Sequence, residues 1–322
     1  MKKFWVLFLS FICFSCDTGK QESPYVEAHG KVKVLSTIAM IDDLVGAIGG
    51  DEIDHYSLIQ GNIDPHNYEL VKGDGEKLMQ ADVLFFNGLG LEQGASLKHH
   101  FKIHPHAVAL GEWVYEKKKN AFVFVDGQVD PHIWMDITLF AMAIEPIVQS
   151  LERADPSHAS LFRERGALLE KHMIAKDHDL LHQMQNLAST QRFVVTSHDG
   201  YRYFIKRYVA DPGEDDWEKR FIAPQGLAPD GQVGILDIKE VIDFLYKNNI
   251  HVVFPEANVS RDVLKKIVSI CLEKGWQVTI ADSPFFGDTM GDGEIRAGSY
   301  LDMIEHNVET FIHNMNTHHH GY

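Results

Sequence analysis

Cysteine is the scarcest chemistry in this 322-residue chain: Cys13, Cys16 and Cys271 are all it has. Two of the three stand at the amino terminus. Cys271 is therefore left alone, unable to form an internal disulfide or a thiolate metal site, which needs partners. Basic residues are also in short supply. Thirty Lys and Arg stand against 46 Asp and Glu, a net charge of −16, which excludes nucleic acid as a partner because phosphate binding needs a basic surface. The acidity suits a protein that handles cations, and equally one that only needs to stay dissolved. No HExxH, GxSxG or phosphate-loop pattern occurs, so the common hydrolase signatures are missing. Beyond Cys16 no apolar run approaches the roughly 20 residues of a membrane-spanning helix.

What the chain does have begins at its amino end. Lys2 and Lys3 precede an apolar run from Phe4 to Phe14, followed by Ser15-Cys16. A basic end, a short apolar stretch and a small residue before the cut form a secretory signal, expected over 1–15. Ser15-Cys16 also resembles a lipobox, with Cys13 where Leu usually stands, so plain export and a lipid anchor on Cys16 both stay open. The polar stretch over 16–30 reads as a flexible tether.

Further on, β-branched runs alternate with helical patterns. Expected strands are Val32–Ile38, Tyr56–Ile59, Val83–Asn87, Ala107–Leu110, Phe193–Thr196, Val252–Pro255 and Gln277–Ala281. Helices are expected over Ile41–Gly49, Gly75–Gln80, Ile238–Asn248 and Arg261–Lys274, the last carrying Cys271 on its apolar side. This alternation predicts an α/β fold with parallel sheets covered by helices. Four strands before residue 115 and three after 190 divide it into an amino-terminal lobe over 31–136, a helical connector over 137–189 and a carboxyl-terminal lobe over 190–322. In the connector, Asp136–Arg153 reads as one helix and Asp155-Pro156-Ser157 as a break and new cap. From Ser157 to Ala188 there is no proline, and Leu161, Leu168, Met173, Leu180, Met184 and Leu187 recur at helical spacing. A rod of that length, about 48 Å at 1.5 Å per residue, can span two lobes; two helices in one bundle are the alternative. Asp211–Gly234, rich in Pro and Gly, reads as a loop.

Nineteen histidines are the clear excess. Most read as scattered surface residues: His99, His100, His104 and His106 on an expected turn, and His172, His178 and His182 on the long helix. The tail His318-His319-His320 reads as a loose end. Three histidines differ. His66 lies in Asp64-Pro65-His66 and His132 in Asp130-Pro131-His132, the same triplet 66 residues later. Proline fixes the backbone before each histidine and keeps the preceding Asp out of helix, so the ring is positioned before any ligand arrives. His198 follows the strand Phe193–Thr196, at the carboxyl edge of a parallel sheet where ligands of open α/β sheets bind. Asp282 occupies the corresponding place after Gln277–Ala281. Two histidines from one lobe and a His with an Asp from the other can converge on a first-row divalent ion. Asp64, Asp130, Asp199 and Glu256 are candidates to support them from behind, or are loop caps.

Taken in order, these residues resemble the zinc and manganese solute-binding proteins (cluster A-I) of bacterial ABC importers, most of all their spirochaetal and chlamydial branch. The resemblance covers nearly the whole mature chain. It rests on Asp64-Pro65-His66-x-Tyr68-Glu69, Asn87-Gly88, Asp130-Pro131-His132-x-Trp134-x-Asp136, Thr196-Ser197-His198-Asp199, Phe254-Pro255-Glu256, Asp282 and Tyr300-x-x-Met303-x-x-His306-Asn307-Val308. It implies two lobes joined by one long rigid backbone helix, and metal ligands His66, His132, His198 and Asp282. It also implies a periplasmic, non-enzymatic carrier, expected to act as a monomer, that hands one Mn2+, Fe2+ or Zn2+ ion to a membrane permease. His198 at the third ligand position leaves the three metals open, and the segment Glu116–Asp126 lacks the histidine-rich loop of many zinc-dedicated members. Two rivals stay in view. A metal-dependent hydrolase needs an open coordination position and a general base, and no motif supplies that base. A surface adhesin is compatible with the tether, but leaves the paired triplets unexplained.

Overall fold

The computed structural model describes Tyr25 and residues 30–229, 231–291 and 297–318. The expected signal, Cys16, most of the tether and His319-His320 lie outside the described residues. The first half alternates strand and helix: β1 (Val32–Ser36), α1 (Ala39–Gly49), β2 (Ile53–Ser57), α2 (Asp74–Gln80), β3 (Val83–Phe86), α3 (Ala95–Ile103), β4 (Ala107–Ala109) and α4 (Leu110–Lys117). The strands pair in parallel in the order β2-β1-β3-β4. Parallel neighbours need crossover helices, which cover the sheet and demand apolar strands. His99 and His100 lie on α3 rather than on the expected turn.

A hairpin not foreseen in the sequence follows, β5 (Phe124–Val125) and β6 (Gln128–Val129). Its two-residue turn has positive φ at both Asp126 (50°) and Gly127 (81°), the geometry that favours an Asp-Gly pair. Next come α5 (Ile137–Phe140), α6 (Ile144–Ala154) and α7 (Ala159–Gln185). The single helix expected over Asp136–Arg153 is interrupted by a tighter turn at Ala141–Ala143. The long helix is present, with 27 residues and a length of about 40 Å. Its buried stripe is Phe162, Gly166, Met173, Asp177, Leu180 and Met184, whereas Leu168 faces solvent. Gly166 is needed for close packing, because a Cβ there would stand 2.6 Å from Val148 Cγ2. The helix is fastened along its length. Arg165 donates to Gly49 O (2.8 Å) and pairs with Glu52; Lys176 pairs with Glu305 (2.9 Å); buried Asp177 accepts from Arg207 and from the Tyr208 hydroxyl (2.9 Å).

The second half contains β7 (Val194–Val195), α8 (Arg202–Phe204), β8 (Phe221–Ile222), α9 (Ile235–Lys247), β9 (Val252–Val253), α10 (Asp262–Glu273), β10 (Thr279–Ile280) and α11 (Tyr300–His318). β7 pairs with β8 and β9 with β10, both in parallel. Phe254 N–H donates to Val195 O (2.8 Å) and sets the two ladders side by side. The resulting order, β8-β7-β9-β10, repeats that of the first sheet. β8 falls inside Asp211–Gly234, where the sequence predicts a loop; a two-residue strand among prolines and glycines has no periodicity to reveal it. One apolar core runs from the first sheet through α5–α7 to Phe204, Phe254, Phe285 and α11. A smaller one, including the free Cys271, lies between α9, α10 and the second sheet.

Candidate metal centre

His66 lies in the loop after β2, His132 just after β6, and His198 three residues beyond β7. Both Asp-Pro-His triplets fold alike. Asp64 Oδ1 accepts from His66 N–H (2.8 Å) and Asp130 Oδ1 from His132 N–H (2.9 Å), the local turn that an aspartate makes two residues before a donor. They differ at the ring. Asp130 Oδ1 also lies 2.7 Å from His132 Nδ1, while the other oxygen of Asp64 accepts from Asn67 (3.0 Å) instead. Asn87 braces the second loop from below by donating to Pro131 O (3.0 Å).

His198 is held from a distance. Glu256, three residues beyond β9, accepts from the N–H groups of Ser197 (2.8 Å) and His198 (2.7 Å) with one oxygen and meets His198 Nδ1 with the other. Gly200 leaves room for the ring, since a Cβ there would stand 2.4 Å from His198 Nε2. Asp199 serves neither histidine. It is bound by Arg202 through three contacts of 2.7–2.9 Å, and burial, opposed by Arg202, pushes its pKa up to about 6.

The carboxylate that joins the three rings is Asp288, not Asp282. Asp282 directly follows β10 and Ala281, is exposed, and lies beside Ser283, Glu309 and His313. The strand does not end there: Phe285 N–H donates to Pro255 O (2.8 Å), and Ala257 N–H to Phe285 O (3.1 Å). The edge of the sheet that faces the site is thus reached only beyond Phe285. Asn307 on α11 then clamps Phe286 on both backbone groups (2.9 and 2.7 Å), and Trp134 Nε1 donates to Gly287 O (2.8 Å), presenting Asp288 inward. A Cβ at Gly287 would stand 2.7 Å from the Tyr201 hydroxyl oxygen. The sequence signal for Asp288 was the apolar pair Phe285-Phe286 before it, a mark of continuing burial.

One donor atom from each of His66, His132, His198 and Asp288 lies within 4.8 Å of all the others, and all four residues are buried. His66 Nε2 is 3.1 Å from His132 Nε2. Asp288 oxygens stand 3.3 Å from His132 Nε2 and 3.4 Å from His198 Nε2. A neutral imidazole that gives its Nδ1 proton to a carboxylate presents a lone pair at Nε2. His132 and His198 therefore aim lone pairs at the same point as a carboxylate, and such a cluster needs a cation. Burial opposes charge on His132, but Asp130 and Asp288 outweigh it and raise the ring to about 10. At His198 burial is likewise overcome by Glu256 and Asp288, reaching about 9. His66 goes the other way, lowered to about 3 chiefly by burial. Asp288 is held well below the usual carboxylate range: burial opposes ionisation, and the surrounding imidazoles more than compensate. Three nitrogens and an oxygen are a donor set for a first-row transition metal.

The family described as zinc-uptake complex component A, periplasmic, matches residues 34–314. The metal-binding protein YtgA of Chlamydia trachomatis is 33% identical over 303 residues, 93% of this chain and 90% of its own length. A crystal structure of Fe(III)-bound YtgA from that organism superposes with a TM-score of 0.83, covering 88% of this chain and 98% of the other. The manganese-binding lipoprotein MntA of Bacillus subtilis is 30% identical over 307 residues, 95% of each chain. The expected resemblance is borne out: this chain belongs to the family of periplasmic zinc-uptake component A proteins.

Proposed function

We propose that this protein captures one divalent transition-metal ion through His66, His132, His198 and Asp288 outside the cytoplasm and delivers it to the permease of an ABC importer. The observation that carries this is the convergence of three Nε2 atoms and one carboxylate in a buried space between the two sheets. Asp130 and Glu256 complete it. With Asp288 they set three carboxylates around a 2+ ion, leaving a formal charge of −1. Mn2+, Fe2+ and Zn2+ all suit such a set, and zinc binds tightest at nitrogen-rich sites by the general order of stability, so supply and the permease select the cargo.

One chain provides all four donors, which supports a monomeric carrier. Among the described residues no helix is long and apolar enough to cross a membrane. The division into lobes over 31–136 and 190–322 about a connector over 137–189 is supported by each parallel sheet keeping to its own half. The continuous core and the fastened α7 favour release by movement of loops around the site over a wide swing of lobes. Metal analysis and competitive titration of the mature protein test the reading. One ion per chain is expected, lost in alanine variants of the four residues and retained in Asp282→Ala; retention in all four variants would remove the site.

A further inference from the structure

Between β3 and α3 the chain makes a strained turn. Gly88, Leu89 and Gly90 stand in succession at positive φ, 74°, 56° and 82°. A leucine seldom adopts that conformation, and such strain persists only where surrounding contacts hold it. Glu92 supplies the hold. Its carboxylate is buried and accepts from the N–H groups of Asn87 (2.8 Å) and Gly88 (3.0 Å), closing the turn on itself. The oxygen that meets Asn87 also accepts from the Thr37 hydroxyl (2.7 Å). Thr37 is a fixed point at the carboxyl edge of the first sheet: its N–H donates to Phe85 O (2.9 Å), and its O accepts from Ile59 N–H (3.0 Å). Both ends of the turn then reach a ligand loop. Asn87 Nδ2 donates to Pro131 O (3.0 Å), beside His132, and Gln93 N–H donates to His66 O (3.3 Å).

We propose that Glu92 is a positioning residue for metal binding: through one turn it ties both Asp-Pro-His loops to the first sheet and fixes the spacing of His66 and His132. Asp64 and Asp130 each orient their own histidine; the turn closed by Glu92 relates one loop to the other. A buried carboxylate is costly unless its hydrogen bonds are made. Burial raises the pKa of Glu92, and the Thr37 hydroxyl with the Asn87 and Gly88 N–H groups resists that rise. An amide is an incomplete replacement. Gln keeps an oxygen for Thr37 and Asn87 but turns its NH2 toward the Gly88 N–H, a donor against a donor. Truncation to Ala leaves two backbone N–H groups without their acceptor and lets the strained turn relax.

This rests on the ligand set proposed above, and the test separates the two. Co2+, whose visible spectrum reports coordination, is titrated into Glu92→Ala, Glu92→Gln, His132→Ala and Arg165→Ala, and each variant is also melted. Glu92→Ala should bind about 10–100-fold more weakly, the loss typical of a partner behind the ligands, with an altered Co2+ spectrum at saturation. Glu92→Gln should fall between it and the wild type, and carries the test if the alanine variant does not fold. Arg165→Ala, which cuts the tie of α7 to Gly49 and Glu52, is the control for stability alone: its melting temperature should drop while affinity and spectrum stay unchanged. Wild-type affinity and spectrum in the Glu92 variants overturn the proposal. So does an equal loss of affinity in Arg165→Ala, which would reduce Glu92 to a contributor to general stability. Wild-type Co2+ binding by His132→Ala means instead that the ligand set is wrong, and takes the role of Glu92 with it.

Discussion

The two halves of the molecule repeat one strand order with unequal means. In the first sheet the strands run three to five residues; in the second each is two residues long. Their site residues are placed just as differently. His66 and His132 are each oriented by an aspartate two positions earlier. His198 is oriented by Glu256, 58 positions away, and the Asp288 loop by Asn307 and Trp134, 21 and 153 positions from the backbone groups they hold. The first half positions its donors by local turns, the second by tertiary contacts. Either suffices to aim a side chain, but only local turns repeat as a recognisable string of residues.

The sharpest way to break this contrast is to exchange the aspartates of the second half. Asp288→Asn should weaken metal binding by more than the roughly 10–100-fold typical of an outer partner, with Asp282→Asn unchanged by the same titration. The reverse result would restore the expectation drawn from sequence. Next come the supporting carboxylates. Asp130→Ala and Glu256→Ala should each cost about 10–100-fold in affinity. Glu256→Ala should lower the melting temperature more, because it also releases two buried N–H groups that tie one strand end to another; equal losses of stability would erase the distinction between local and distant support. Gly200→Ala should weaken binding by about tenfold, since donors displaced by more than about 0.5 Å lose productive geometry. Calorimetry showing wild-type affinity would mean that the ring has slack.

A gentler probe is pH. In the metal-free protein His132 and His198 have pKa values raised to about 10 and 9. The stability they contribute is complete below their ordinary value near 6.5 and disappears as pH climbs through 9 to 10. His66, lowered to about 3, subtracts stability as pH drops below 6.5. Melting curves of the metal-free protein should therefore fall on the alkaline side, and saturating metal should reduce that fall because the ion replaces the protons. Parallel curves with and without metal would contradict it. The smallest effect is expected in hydrogen exchange. Added metal should protect amides near His66, His132, His198 and Asp288 while leaving α7 unchanged; protection across the whole helix would argue for a lobe swing instead.

The sequence disclosed most of the first half and less of the second. Val32–Ser36 and Val83–Phe86 are apolar runs long enough to read as strands, and the repeated Asp-Pro-His triplet pointed to His66 and His132. Phe221–Ile222 was hidden because its pairing with Val194–Val195 is a tertiary choice. Asp282 directly follows the expected strand Gln277–Ala281, although Phe285 carries the ladder further. His198 stands at the sheet edge that follows its strand, whereas its tie to Glu256 is a tertiary contact that no local pattern reveals. The Asp126-Gly127 turn, by contrast, is a local hairpin signal legible in the sequence itself.

The anchoring of α7 has a mechanical consequence. A strut tied to the first half near Arg165 and to the second at Asp177 makes the spacing between them insensitive to load applied from outside. A transporter gripping this carrier gains little leverage by prying the halves apart. Force delivered to the rim, where the short turns carry the donors, meets far less resistance.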